Sequence, residues 1–231
     1  MVRPSIVILT GAGISAESGL STFRGNGGLW EDRRVEEVAT PEAFAADPDS
    51  VHRFYNLRRA QLRDVKPNAA HHALAELERA WKGPFLLITQ NVDDLHDRAG
   101  SQRLLHMHGE LRKARCLRCG AIHPWDGALD QATPCPSCHQ RSSLRPHIVW
   151  FGEMPLDMER IELALYLCDL FVSIGTSGNV YPAAGFVQQV GAQAHTLELN
   201  LDASQTTSLF HESRRGKATD LVPAWVQEIS G

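Results

Sequence analysis

No apolar run in the 231 residues approaches the roughly eighteen needed to span a bilayer, so no transmembrane helix and no membrane partner are expected. An excess of positive charge is also missing: 23 Lys and Arg stand against 27 Asp and Glu, for a net charge of −4 with neutral histidines. Such a surface gives no electrostatic footprint for stable nucleic-acid binding, and no basic–aromatic groove compensates; basic peptides are weakly favoured instead. The N-terminal Met1-Val2-Arg3-Pro4-Ser5 passes straight into a predicted strand, without the n-region, apolar h-region and cleavage site of a signal peptide. Internal repeats, low-complexity tracts and an H-E-x-x-H pair are absent too, which removes repeat architectures and the commonest zinc-hydrolase motif. An apolar content of 43% and a charged content of 22% are ordinary for one large domain, or one domain carrying a small insertion.

Cysteine is present in a telling arrangement. Cys116 and Cys119, fifteen intervening residues, then Cys135 and Cys138 make a C-x2-C…C-x2-C pattern. Zinc takes four thiolates at about 2.3 Å, and each C-x2-C turn can aim two sulfurs at one point. Two disulfides or four unrelated thiols are the alternatives, but the flanking Gly120, Pro134 and Pro136 suit a zinc knuckle. Four protein ligands leave no open position for substrate, so this ion is structural and the chemistry lies elsewhere. Thiolates kept reduced, together with the lack of an export signal, predict a cytoplasmic protein. The fifth cysteine, Cys168, sits in an apolar stretch and reads as a core thiol.

Short β-rich runs at 6–10, 85–89, 170–174 and 195–199 each end in small or polar residues: Gly11-Ala12-Gly13, Gln90-Asn91, Gly175-Thr176-Ser177 and Asn200. Helical patterns are expected at about 14–20, 50–64, 69–81, 92–98, 157–167, 182–191 and 220–229. Apolar strands alternating with helices predict an α/β fold, a Rossmann-like parallel sheet with helices on both faces, plus a small zinc-binding module over about 112–145. In such sheets ligands bind outside the carboxyl ends of the strands, where these polar ends converge.

Gly11-x-Gly13 between a strand and a predicted helix has the local logic of a dinucleotide site, with glycines admitting a pyrophosphate and a helix N-terminus supplying N–H groups. A plain tight turn is the alternative. The acid expected some 20 residues on is missing, since Glu31 and Asp32 fall in a loop, which argues against a nicotinamide dehydrogenase.

Gly11-Ala12-Gly13-Ile14-Ser15-Ala16-Glu17-Ser18-Gly19, Phe23-Arg24, Thr89-Gln90-Asn91-Val92-Asp93 and His108-Gly109 resemble, in order, the signature set of the sirtuins. Arg145-Pro146-His147-Ile148-Val149-Trp150-Phe151-Gly152-Glu153, Gly175-Thr176-Ser177 and Leu199-Asn200 extend the resemblance, which runs from residue 5 to 220. The short chain is similar to the family's bacterial class III branch. The resemblance implies an NAD-dependent protein-lysine deacylase with one structural zinc and acylated proteins as partners. In that family the acyl oxygen displaces nicotinamide from the ribose, and a base then activates a ribose hydroxyl. His108 occupies the place of the base, a task suited to imidazole near neutral pH. His71, His72, His96 and His106 read as hydrogen-bonding histidines. Asn91 is expected beside His108 in catalysis and, with Asp93, in the nicotinamide pocket, Asp93 receiving the carboxamide N–H; Gln90 and Val92 would also bind the cofactor. Phe23 and Arg24 would lie in the mobile cofactor loop, and Trp30 would also bind the cofactor. Ser15, Ala16 and Glu17 would join Gly11, Ala12 and Gly13 on the cofactor, and Gly175, Thr176, Ser177, Asn200, Leu201 and Ala218 would hold the adenosine half. Val149, Phe151 and Gly152 would pair with the substrate peptide as an added strand. A zinc-ribbon binding protein without catalysis is the rival reading.

Tyr55 and Arg58 are spaced i, i+3 on a predicted helix, one turn apart on one side. The pair resembles the Y-x-x-R of desuccinylating and demalonylating sirtuins, whose phenol and guanidinium grip an acyl carboxylate. Without the resemblance they would read as a solvated face shared with Arg53, Arg59 and Arg63. The resemblance further implies a large domain of 1–35, 85–110 and 146–231, and a small one of 36–84 and 111–145.

Overall fold

The computed structural model describes residues 3–20, 29–30 and 33–230, and of 29, 30 and 33 only the backbone. A parallel sheet forms its centre. β1 (Ile6–Thr10), β4 (Phe85–Thr89), β5 (Leu104–His106), β9 (Leu170–Ile174), β10 (His195–Asn200) and β11 (Glu212–Arg215) are arranged in the order β11-β10-β9-β1-β4-β5. Every neighbouring pair is parallel, in registers such as Ile6↔Phe85 and Ile6↔Leu170. This is the doubly wound order in which successive strands leave β1 first on one side and then on the other, opening a crevice between β1 and β9.

Alternate side chains of each strand fill opposite faces of the sheet. On one face Ile6, Ile8, Leu87, Val172, Ile174, Leu197 and Leu199 meet α4 (Ala69–Ala80) and α7 (Ala218–Ser230) through Leu74, Leu77, Val222 and Trp225. On the other, Val7, Leu9, Leu86, Ile88 and Phe171 meet α6 (Met158–Leu167) and the 3-10 segment Ala183–Gln188. Burial on both faces explains why β1, β4 and β9 lack a polar alternation; β10 keeps one, with Thr196, Glu198 and Asn200 buried between its leucines.

Two smaller units stand over the carboxyl edge. α1 (Val35–Val38), α2 (Pro41–Ala46) and α3 (Pro48–Gln61) enclose Val51, Phe54, Tyr55 and Trp150, with a short antiparallel pair, β2 (Leu29–Trp30) and β3 (Arg33–Arg34), before them. Thr40 and Asp47 cap α2 and α3 by accepting from the Ala43 and Ser50 N–H groups, each with proline at the first turn. α4, by contrast, packs on the sheet beside α7, so the expected small unit of 36–84 is divided between two cores. The cysteine module is a three-stranded antiparallel sheet in the order β7-β6-β8, from β6 (Gly109–Cys116), β7 (Ile122–Pro124) and β8 (Leu144–Ile148). Its own buried cluster is Ala114, Cys116, Leu129, Cys135 and Leu144, while Leu111 of β6 and Ile148 of β8 belong to the core around α3.

Several expected helices differ. Over 14–20 the chain makes two single 3-10 turns, Ala12–Ile14 and Ala16–Ser18, closed by Gly19 at φ +96°. Over 182–191 it is 3-10 helix, Ala183–Gln188, and the one expected at 92–98 is α5, Leu95–Ala99, ended by Gly100 at φ +102°.

Candidate active site

Among the described residues, the carboxyl ends of β1, β4 and β9 and the chain leaving β8 enclose a cavity of about 240 Å³. Gly11, Ala12, Gly13 and Ser15 line it from the β1 turn, and Gln90, Asn91, Val92 and Asp93 from the β4 end. His108, Val149 and Phe151 form another wall, Gly175, Thr176 and Ser177 a third, and Tyr55 and Arg58 reach in from α3. Ala16, Glu17, Gly152, Asn200, Leu201 and Ala218 are not in the wall. Glu17 is exposed and its carboxylate accepts the Thr219 N–H at 3.0 Å, at the start of α7. Phe23 and Arg24 lie outside the described residues, and Trp30 lies in β2.

The two glycines of Gly11-x-Gly13 line the cavity and also make a close contact within the protein. Their N–H groups donate to Ile174 O at 3.0 Å and Gly175 O at 2.9 Å, so they clamp the β1 turn onto the β9 turn. A Cβ on Gly13 would stand 2.7 Å from Gly175 Cα, and one on Gly11 2.9 Å from Gly175 O. Close backbone approach therefore requires glycine here, but the approaching backbone is the protein's own. No α-helix begins at this turn either, and three-residue 3-10 turns sum few peptide dipoles.

Ser15 ties the floor together. Its hydroxyl donates to Asp93 Oδ2 at 3.0 Å and accepts from Asn91 Nδ2 at 3.1 Å, while Asn91 Nδ2 also approaches Gly11 O at 3.2 Å. Asp93 accepts the Leu95 N–H at 3.1 Å; burial nevertheless raises its pKa. Behind Ser15 two buried imidazoles, His71 and His96, stand with ring centroids 4.8 Å apart. His96 Nε2 pairs with Thr10 Oγ1 at 3.0 Å, and His71 completes a capping box with Asn68 at the start of α4. Desolvation drives both toward the neutral form, His71 down to about 3. Burial works to lower the pKa of His106, but its pairing with Asp97 at 3.1 Å, the Glu110 charge and a backbone hydrogen bond at Asn91 together raise it.

His108 Nδ1 lies 3.0 Å from Gln90 O, a pure acceptor, so Nδ1 carries the proton and Nε2 presents its lone pair. Desolvation lowers the ring's pKa, and the carbonyl bond only partly offsets that, so the ring is neutral near pH 7. A neutral, oriented imidazole on a cavity wall can accept a proton.

The α3 end of the cavity is closed by a polar stack. Trp150 Nε1–H donates to the Tyr55 hydroxyl at 2.9 Å, and burial raises the phenol's pKa, keeping it a neutral O–H. Arg145 lies over the Trp150 ring and grips Glu153 through two bonds of 2.7 and 2.9 Å, and Arg115 adds a third at 2.8 Å. Glu153 Oε2 also accepts the Trp150 N–H at 2.8 Å, which folds residues 150–153 into a turn. The extended segment is thus β8, one step earlier than expected, and 149–153 is not a strand. Val149 N–H is bonded to His108 O at 2.9 Å. Arg58 is buried and donates to Gln61 Oε1 at 3.2 Å. Arg59 is no solvated charge: it donates to Leu111 O at 2.7 Å and to Asn56 Oδ1 at 2.9 Å. Asn56 in turn exchanges two hydrogen bonds with the Leu129 backbone, at 2.9 Å each, so α3 is riveted to the cysteine module.

The four cysteine sulfurs lie within 4.8 Å of one another, with Cys116–Cys138 at 3.7 Å and Cys119–Cys135 at 3.8 Å, and none forms a disulfide. A tetrahedron with Zn–S bonds of about 2.3 Å has edges of about 3.8 Å, so the thiols fit one zinc ion.

The family model described as "Sir2 family" matches residues 11–182. The chain is similar to the NAD-dependent protein deacylase of Pasteurella multocida (strain Pm70), 59% identical over 227 residues covering 97% of each chain. It is also similar to the NAD-dependent protein deacylase of Escherichia coli (strain K12), 53% identical over 232 residues, 99% of this chain and 83% of that one. Among solved structures, a Sir2 homolog–NAD complex superposes with a TM-score of 0.88 at 41% identity, covering 97% of this chain and 89% of the other.

Proposed function

The chain belongs to the Sir2 family and is an NAD-dependent protein deacylase, and on that premise we propose that it removes succinyl and malonyl as well as acetyl groups from protein lysines. One observation carries the acyl range: Tyr55 and Arg58 enter the same cavity wall as His108 and Asn91. A neutral phenol O–H and a guanidinium facing an acyl chain would make charge-assisted hydrogen bonds with a terminal carboxylate, which acetyl lacks.

In this reading NAD supplies the leaving group and the acceptor ribose. Asn91 and Asp93, oriented by Ser15, hold the nicotinamide carboxamide, and Gln90 and Val92 complete that pocket. His108 Nε2 takes the proton of a ribose hydroxyl as its oxygen attacks the acyl carbon. One water is consumed, and the products are nicotinamide, the free lysine and O-acyl-ADP-ribose. Gly175, Thr176 and Ser177, with Asn200, Leu201 and Ala218 further along the same edge, take the adenosine half; Ala16, Glu17, Phe23, Arg24 and Trp30 belong to the cofactor side. Val149, Phe151 and Gly152 border the peptide. Helices α1 to α3 and the zinc module act together as the smaller unit, and the protein works in the cytoplasm on acylated proteins.

The test is a panel of acetyl-, succinyl- and malonyl-lysine peptides with NAD, followed by mass spectrometry for deacylated peptide and free nicotinamide. Succinyl and malonyl turnover with equimolar nicotinamide is expected. Acetyl turnover alone would remove the extended acyl range, and NADH formation without nicotinamide release would remove the deacylation reading.

A further inference from the structure

Glu198 is a charged residue set in the middle of β10, with its side chain only 1% exposed. It does not line the cavity. Its Oε2 accepts from Arg215 Nη1 at 2.7 Å, Thr207 Oγ1 at 2.8 Å and Ser213 Oγ at 2.9 Å, and Oε1 accepts from Ser204 Oγ. These donors come from the loop after β10 and from β11. Apolar burial contributes little to holding that loop, since Leu201 is 61% and Leu209 44% exposed. An ionised carboxylate with four donors can order a polar loop where apolar burial cannot.

The same loop touches the cavity wall. Gln205 N–H donates to Ser177 O at 3.1 Å, and Thr206 lies so close to Gly178 that a Cβ there would be 2.7 Å from its Oγ1. From the same face of β10, two residues on, Asn200 Nδ2 donates to Thr176 O at 2.6 Å. The turn carrying Thr176 and Ser177 is therefore braced twice, directly by Asn200 and through the loop by Glu198.

We infer that Glu198 is a positioning residue for cofactor affinity: by anchoring the loop of residues 201–209 it holds the Thr176–Ser177 turn in the shape that receives the adenosine half of NAD. The inference rests on the proposed reading of that turn as the adenosine site. Glu198 acts on binding and leaves the reacting end, built on β4 and His108, untouched.

The variant Glu198→Gln keeps the side chain's size and removes its charge, and Arg215, one-third exposed, can turn to water. Losing one charge-assisted network should raise KM for NAD and Kd for ADP-ribose by about tenfold, with kcat and the peptide KM within about twofold. Ser204→Ala, which deletes one donor outside the sheet, should shift the same two constants in the same direction by about threefold, and it decides the matter if Glu198→Gln does not fold. Unchanged ADP-ribose affinity in the folded variants overturns the inference, as do equal losses in kcat and in both KM values. Wild-type protein that fails to bind ADP-ribose in competition with NAD would instead overturn the adenosine-site reading, and the inference with it.

Discussion

The buried histidines behind Ser15 make the protein acid-sensitive by an amount that can be worked out. His71 and His96 are 0% and 1% exposed, and desolvation keeps them neutral in the folded chain. In the unfolded chain each recovers the ordinary value of 6.5 and takes up a proton below it. A depressed pKa of this kind contributes stability above 6.5 that is lost as pH falls toward the folded value, about 3 for His71. Between pH 6.5 and about 5.5 the loss is about 1 kcal/mol for each histidine, hence about 2 kcal/mol for the pair. His106, whose pKa is raised, has the opposite sign: it adds stability on acidification and stops adding once both states are protonated. Urea denaturation at several pH values in excess zinc measures the slope. His96→Gln keeps a partner for Thr10 but does not titrate, so its slope over that window should be about 1 kcal/mol per pH unit shallower than wild type. Identical slopes, or stability that rises on acidification, would refute the buried-neutral assignment.

Two further perturbations test the scaffold. Stripping zinc with a strong chelator should abolish activity and expose the amides of β6, β7 and β8 to hydrogen exchange while β1, β4 and β9 stay protected, because five small or apolar residues cannot hold that module alone; a zinc-free protein with full activity would contradict the structural role. Gly13→Ala places a methyl group 2.7 Å from Gly175 Cα, and should cost about 1–3 kcal/mol of stability and raise KM for NAD; wild-type values of both would show that the two turns are not clamped.

How much of this was legible beforehand depends on what each segment spends its residues on. Strands β1, β4 and β9 are nearly continuous apolar runs because both their faces are covered, and so they stand out in the sequence, whereas β10 alternates Leu197 and Leu199 with Thr196, Glu198 and Asn200. β8, Leu144–Ile148, is as deeply buried but contains Arg145, Pro146 and His147. Its charge is met by Glu153 and the Trp150 ring, and its proline is tolerated on an edge strand, neither of which a hydrophobic pattern reveals. Arg59 misled for the same reason, since only the fold shows the Leu111 carbonyl waiting for it. Residues of the cavity wall were found through motif resemblance, while their mutual orientation through Ser15 and the Gln90 carbonyl came only with the structure. Glu198 belongs to no motif; its signal in the sequence is an acid inside a strand followed by Ser, Thr and Arg.

The central claim is that a carboxylate grip at Tyr55 and Arg58 sets the acyl range of this deacylase. It is tested most directly by the ratio of kcat/KM for succinyl- and acetyl-lysine peptides in wild type and Arg58→Met. Loss of a charge-assisted pair should lower that ratio by about 10- to 100-fold, with acetyl turnover largely retained. A ratio that does not change, with both activities falling together, would contradict it.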